Sequence, residues 1–429
     1  MTDQTVGLIM SGGGARAAYQ VGVLRAIASM LPQRSRNPFR IICGTSAGAI
    51  NAASLASNVD RFDRAVSRLA RTWGNLHVGQ VYRADLPGAA RILSRCLAAL
   101  LAGGLRRPQP VSLLDCTPLV NLLSRTIDFA RIRHTIATGH LSAVCITASS
   151  YTSGDSISFF QGNASHEPWR RARRVGRPSE IGVAHVMASC ALPFAFPVVR
   201  IDGEHFGDGS MHQLAPISAA LHLGAQRVLV IGVGSAAPEE REARDPSAWP
   251  SLAQIAGHML DAIFIDTLDM DLERLQRVNR TLAAIPELVR SQQGTGLRAI
   301  ETLVIRPSEP MDQIAAAHAA ELPRLMRLLM RRMGVLEPDG ARVLSYLLFE
   351  RGYCRHLMDL GVSDAMAQRA RILNFLGYDS AFGKHSEGRH SEEGAAGCQQ
   401  DPGPVVQPPA SAAYREAASL AASCRTGQA

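Results

Sequence analysis

The five residues Gly44-Thr45-Ser46-Ala47-Gly48 constrain this chain more than any other stretch. They follow Phe39-Arg40-Ile41-Ile42-Cys43, whose apolar run predicts a buried strand. They precede Ala49-Ile50-Asn51-Ala52-Ala53-Ser54-Leu55-Ala56, which predicts a helix. A Gly-x-Ser-x-Gly between strand and helix is a nucleophile elbow, a reversal so tight that Gly44 and Gly48 carry no side chain. It leaves the serine hydroxyl at the top of a sheet, beside the free N–H groups of a helix N-terminus, where developing negative charge is favoured. Five small residues also suit a plain packing turn, so the context has to decide.

The context begins at the N-terminus. Val6-Gly7-Leu8-Ile9-Met10 predicts the first strand, and it runs into Ser11-Gly12-Gly13-Gly14 and then a helix through Leu24. Glycines at a strand end leave several backbone N–H groups aimed at one spot, an anion cradle. Gly12, Gly14 and Ala17 also satisfy the dinucleotide pattern G-x-G-x-x-A. That pattern needs an acidic residue at the end of the second strand, and here the second strand ends in Cys43-Gly44-Thr45-Ser46. Two successive strand–turn–helix units set both turns on one edge of a parallel sheet, with Ser46 facing the glycine loop. A nucleophile beside N–H donors is what acyl transfer requires, because the tetrahedral intermediate carries its charge on an oxygen.

Downstream, Leu141–Ala148 and Ser156–Phe160 predict strands around a turn at Thr152–Asp155. The arginines between Arg170 and Arg177 read as a loop, either solvated or facing phosphate. Val198–Ile201, Arg227–Val233 and Thr302–Pro307 predict further strands. Between Arg61 and Ile127 the spacing is helical, and its most apolar part, Ile92–Leu105, suits a buried helix, a lid or an interfacial helix. Asp261–Leu282 predicts a long amphipathic helix. Near residue 330, Leu322, Leu325, Leu329 and Met333 line one helical face and Arg324, Arg327 and Arg331 another. Asp208-Gly209 stands in the polar run Phe206–Ser210, where an Asp-Gly pair ordinarily marks a β-turn. From residue 384 to 429 the composition shifts to Ser, Glu, Gly, Gln, Pro and Ala, which predicts disorder.

Composition narrows the class. The net charge of +8 favours contact with anionic surfaces without choosing among them. Nucleic acid has only that charge in its favour, for no aromatic platform or helix-turn-helix is visible. Eight scattered cysteines, with no C-x-x-C, suggest neither a zinc site nor a disulfide framework. No run of about twenty apolar residues is present and the first residues lack a basic-then-apolar leader, so the expected location is the cytoplasm.

The order Gly12-Gly13-Gly14-Ala15-Arg16-Ala17, then Gly44-Thr45-Ser46-Ala47-Gly48, then Asp208-Gly209 resembles the three signatures of the patatin-like phospholipases. Ala188–Pro193 before the aspartate and Ala215-Pro216-Ile217 after it agree. Stretches from Asp266 to Asn279 and from Leu344 to Glu350 resemble the C-terminal part of a bacterial branch of the family. The resemblance implies an α/β, three-layer fold with a central, mostly parallel sheet plus C-terminal helices. It implies a catalytic domain over residues 6–218 and an extension of strands and helices over 219–383. It further implies a Ser–Asp dyad without histidine: Ser46 as nucleophile, Asp208 as general base, and Gly12, Gly13, Gly14 and Arg16 around the oxyanion. The reaction would be hydrolysis of a fatty acyl ester through an acyl-enzyme, with no cofactor or metal. The partners would be a lipid substrate and a peripheral, anionic membrane surface. Ala17 and Ser210 stand where the family often has glycine, or glycine or alanine. A Ser210 hydrogen bond to Asp208 would lower the pKa of that carboxyl and weaken it as a base. Two other readings remain. One is an ordinary α/β-hydrolase with a Ser–Asp–His triad, for which His212, His222 and His258 follow Asp208 in the required order. The other is a catalytically silent lipid-binding regulator.

Overall fold

The computed structural model describes residues 4–32, 35–83, 114–193, 195–235, 249–285 and 297–378. Met1–Ser380 form one compact unit. The apolar Ile92–Leu105 stretch and the 384–429 tail lie outside the described residues.

Five strands carry the centre of the sheet: β1 (Val6–Met10), β2 (Ile41–Thr45), β3 (Ala143–Ser150), and later β9 (Arg227–Ile231) and β10 (Glu301–Ile305). They run parallel in the order β10-β9-β1-β2-β3. β4 (Ser156–Gly162) then pairs antiparallel with β3, and a hairpin of β5 (Trp169–Arg171) and β6 (Arg174–Pro178) closes that edge. β1, β2 and β3 are buried along their whole length, which is why they read as near-continuous apolar runs. Alternate side chains serve opposite layers. Leu8, Met10, Ile42 and Val144 join the larger core, while Ile9, Ile41, Cys43 and Cys145 join the smaller one.

On the larger side lie α1 (Ala18–Met30), α2 (Ala47–Ala56) and α3 (Phe62–Gly74). α1 also packs along a late helix, Arg351–Ala367, where the Tyr19 hydroxyl donates to Asp364 Oδ2 at 2.9 Å. The smaller core is closed by Ser218–His222 and by the helix Thr267–Ala284, through Leu268 and Leu272. The result is the three-layer, mostly parallel α/β arrangement with C-terminal helices. Strands β9 and β10 come from the last half of the chain yet extend the same sheet as β1.

One feature of the sheet brings distant sequence together. β7 (Val199–Ile201) and β8 (Glu204–Asp208) form a hairpin, and β8 pairs antiparallel with the far end of β3. β2 covers the same flank of β3 as far as Thr147, which faces Thr45. β8 takes over at Ala148, which faces Asp208. Two strands of opposite direction thus meet end to end, and the residue after β2 is Ser46.

Three local expectations change. The arginines from 170 to 177 belong to a hairpin rather than a loop, because Trp169 stacks on Phe160 at 5.1 Å and β6 pairs with β4. The helix expected from Asp261 starts earlier, at Leu252. It passes through a π turn at Ala262–Asp266 before continuing as Thr267–Ala284. In Arg324–Arg332 the buried apolar residues are Met326 and Met330, in line with Leu322, whereas Leu325, Leu329 and Met333 are exposed. Two apolar stripes overlap there, and the 3.6-residue period alone does not say which one meets the core.

Candidate active site

Ser46 occupies the turn between β2 and α2 with φ 54° and ψ −128°, a conformation that costs a side-chain-bearing residue on the order of 1–3 kcal/mol. The neighbourhood holds it there. The Ser46 N–H donates to Ser189 Oγ at 2.8 Å, and the Ser189 hydroxyl donates in turn to the Thr147 carbonyl at 2.6 Å. The elbow glycines sit where backbone passes close by: a Cβ at Gly48 would lie 2.2 Å from the Met10 carbonyl oxygen, and one at Gly44 2.3 Å from that of Gly48. Gly48 thereby seats the start of α2 against the end of β1, where the glycine loop begins.

The Ser46 hydroxyl donates to Asp208 Oδ2 at 2.6 Å. Asp208 is fully buried at the end of β8 rather than in an exposed turn. Its second oxygen, Oδ1, accepts from the Ser210 N–H at 2.9 Å. Gly209 follows directly, packed against the Thr147 carbonyl. Burial pushes the Asp208 carboxyl up to about 6, while hydrogen bonds from Ser46 and Ser210 pull it back only part of the way. The Ser210 N–H bond is one that glycine or alanine would also make, and desolvation outweighs the hydrogen bonds to this carboxylate. Among the described residues no histidine hydrogen-bonds to Ser46 or to Asp208.

Gly12 and Gly13 follow β1, and Gly14 opens a short 3-10 turn with φ 55°, a left-handed value that suits glycine. Its α-carbon lies against the backbone of Tyr346, so close that a Cβ would fall 2.2 Å from the carbonyl oxygen. Neither Gly12 nor Gly13 donates its N–H to another described residue.

Arg16 is buried, and its guanidinium is engaged by residues from the second half of the chain. Nε donates to Ser345 Oγ at 2.8 Å, Nη1 lies 3.8 Å from Asp261, and the group sits 4.0 Å over the Tyr346 ring. Asp261 also accepts from the Tyr346 hydroxyl at 2.8 Å and pairs with Arg342 at 3.3 Å. Phe264, on the π turn, stacks on Tyr346 and packs against Gly12.

Ser46 and Asp208 open into a cleft of about 860 Å³, counting its open mouth. Ala47 and Ile50 of α2, Leu69 and Trp73 of α3, Leu119 and Leu123 of the helix Thr117–Thr126, and Phe264 and Leu347 form its walls. The lining is overwhelmingly apolar, with Ser46 and Asp208 side by side at one place on it. Ser189, Asp261, Phe264 and Tyr346 carry no role in the sequence reading, although Ser189 lies in the Ala188–Pro193 run and Tyr346 in the Leu344–Glu350 stretch.

Fold and site together define a three-layer α/β protein in which a serine in a tight strand-to-helix turn is hydrogen-bonded to a buried aspartate. The model of the patatin-like phospholipase family matches residues 8–221, and the chain belongs to that family. No curated protein matches the sequence significantly. Among solved structures, VipD from Legionella pneumophila is 13% identical with a TM-score of 0.31, the match covering 83% of this chain and 67% of VipD. Human GIVD cytosolic phospholipase A2, in complex with methyl gamma-linolenyl fluorophosphonate, is 14% identical with a TM-score of 0.42, over 87% of this chain and 59% of that one. ExoU from Pseudomonas aeruginosa, solved with SpcU, is 15% identical with a TM-score of 0.24, over 87% and 78%. No helix among the described residues is long and apolar enough to cross a membrane.

Proposed function

We propose that the chain is a lipid acyl hydrolase of the phospholipase A or lysophospholipase type, a serine esterase that works through an acyl-enzyme. The observation that carries this reading is the 2.6 Å hydrogen bond from Ser46 to a buried Asp208 at the wall of an apolar cleft. Ser46 Oγ attacks the ester carbonyl carbon as its proton passes to Asp208 Oδ2. The oxygen that gains charge is met by the N–H groups of the Gly12–Gly14 loop, each such donor typically contributing about 3–4 kcal/mol to the transition state. Collapse breaks the bond to the alcohol, which leaves with the proton from Asp208. Water then attacks the acyl-serine, gives its proton to Asp208, and releases the fatty acid as Ser46 regains its hydrogen. The aspartate suffices as base because burial raises its proton affinity. Arg16 serves this site by holding the loop from behind. The substrate sits in a lipid aggregate, so a cytoplasmic protein, as the sequence suggests, reaches it by peripheral contact with a membrane.

The test is hydrolysis of phospholipid, lysophospholipid, acylglycerol and nitrophenyl ester by the wild-type protein and by Ser46→Ala. Turnover should vanish in the variant while the fold persists. A folded wild-type protein that hydrolyses none of the four would make the chain a silent lipid binder, and undiminished turnover in Ser46→Ala would remove Ser46 from the mechanism.

A further inference from the structure

The helix Arg324–Arg332 exposes leucines and arginines together. Leu328 and Leu329 are 55% and 51% exposed, and Met333 just beyond is 57% exposed. Arg324, Arg327, Arg331 and Arg332 pair with no carboxylate among the described residues. Like charges at this spacing repel one another on a helix. Leucines in water on the same helix forgo burial. A second exposed apolar stripe lies close by: Trp249, and then Leu252, Ile255 and Met259 at helical spacing on Leu252–Asp261. Both helices adjoin the Pro338–Gly340 turn, which packs on Leu252–Asp261 and, through Gly340, on Gly334 and Val335 just past the arginine helix. Leu252–Asp261 continues through the π turn to Phe264, on the wall of the reactive cleft.

We infer that these two helices dock on the surface of a membrane containing anionic phospholipid. The arginines would meet phosphate groups by charge-assisted hydrogen bonds, and the leucines and Trp249 would enter the boundary between headgroups and acyl chains. One occupant thereby relieves both the unpaired charge and the exposed apolar surface. The arginine hairpin of β5 and β6 is a weaker candidate, since Arg170 pairs with Asp155 at 3.4 Å and Arg177 with Glu204 at 2.9 Å. The choice of a lipid surface over an acidic protein rests on the lipid-hydrolase reading. The docking geometry does not.

The experiment is cosedimentation of the full chain with vesicles of phosphatidylcholine alone and of phosphatidylcholine with phosphatidylglycerol, at low and high salt. The wild-type protein should bind the anionic vesicles and lose that binding at high salt. Replacing Arg324, Arg327, Arg331 and Arg332 by Gln should weaken binding about fivefold per arginine, while hydrolysis of a soluble nitrophenyl ester stays at the wild-type rate. Leu328→Ser with Leu329→Ser should weaken it as well, and thermal melts of both variants should match the wild type. Unchanged vesicle binding in the arginine variant overturns the proposal, as does equal binding to neutral and anionic vesicles. Normal ester hydrolysis without any vesicle binding also overturns it and points to a protein as the occupant. Ser46→Ala separates the two readings: it should bind vesicles as the wild type does. Vesicle binding in a wild-type protein without esterase activity would sink the hydrolase reading and leave the docking surface standing.

Discussion

The guanidinium of Arg16 lies 4.0 Å from the centre of the Tyr346 ring, so the glycine loop of the first strand–turn–helix unit is clasped by a helix 330 residues later. Arg16 also meets Ser345, which is buried, and Asp261, which is mostly so. Removing one member of such a buried group strands the others. Arg16→Met is therefore expected to cost about 3 kcal/mol or more of stability, in the range for breaking a buried ion pair. Denaturant melts would show it, and Tyr346→Leu should give a smaller loss. If Arg16→Met melts like the wild type but loses activity, the side chain acts on substrate instead of holding the loop.

Asp208 leads to a paired prediction about pH. Its folded value near 6 stands above the ordinary 3.8, so the folded state keeps this proton after the unfolded chain has lost it. Between about pH 4 and pH 6 the folded state binds more protons, and stability falls as pH rises; above that window the loss is complete, at about 3 kcal/mol for such a shift. Activity runs the other way, because the base must be ionised to take the serine proton. The rate of nitrophenyl ester hydrolysis should climb through about pH 6 and then level off. Asp208→Asn should abolish turnover and labelling by a fluorophosphonate, yet melt above the wild type at pH 8, with the gap closing near pH 4. An equal labelling rate in Asp208→Asn would count against the base.

Much of this site was legible because it is local. The strand–elbow–helix around Ser46 and the strand before Gly12 can be read from apolar runs and glycines within about fifteen residues of each other. Asp208 is different. Its own surroundings read as a polar turn, and only a resemblance singled it out. What makes it a partner for Ser46 is the end-to-end meeting of β2 and β8 along β3, a long-range pairing that no local pattern encodes. The same holds for Arg16, whose partners Ser345 and Tyr346 belong to another part of the chain. In Arg324–Arg332 the helical spacing put Leu325, Leu329 and Met333 on the apolar face, and packing buries Met326 and Met330 instead.

Ser189 joins the Ser46 N–H to the Thr147 carbonyl and so spans the strained elbow. Ser189→Ala would leave both backbone groups without that partner in a buried place, at a cost of about 1–3 kcal/mol. As a positioning residue it should affect kcat more than KM for a soluble ester, since the binding cleft is untouched while the nucleophile loses its support. Ser189→Thr keeps a hydroxyl and should recover part of the rate. A Ser189→Ala enzyme with wild-type kcat and reduced stability alone would assign the residue a purely structural part.

The cleft predicts a dependence on acyl chain length. Leu123 is buried on its wall, facing the space between α2, α3 and the helix Thr117–Thr126. If the acyl chain of the substrate lies there, a bulkier side chain removes room for its distal carbons and leaves the carbonyl end at Ser46 undisturbed. Each methylene denied burial forfeits about 0.8 kcal/mol, so excluding four of them should lower kcat/KM for a long chain by about two hundredfold. Leu123→Trp is thus expected to hydrolyse nitrophenyl butyrate at close to the wild-type rate and nitrophenyl palmitate far more slowly. Leu123→Ala should tilt the preference towards longer chains, at a stability cost of about 2–5 kcal/mol for the cavity it opens. The comparison within each variant matters, because a general loss of fold would depress both esters alike. Parallel changes for butyrate and palmitate in a folded Leu123→Trp protein would place the acyl chain elsewhere than in this cleft.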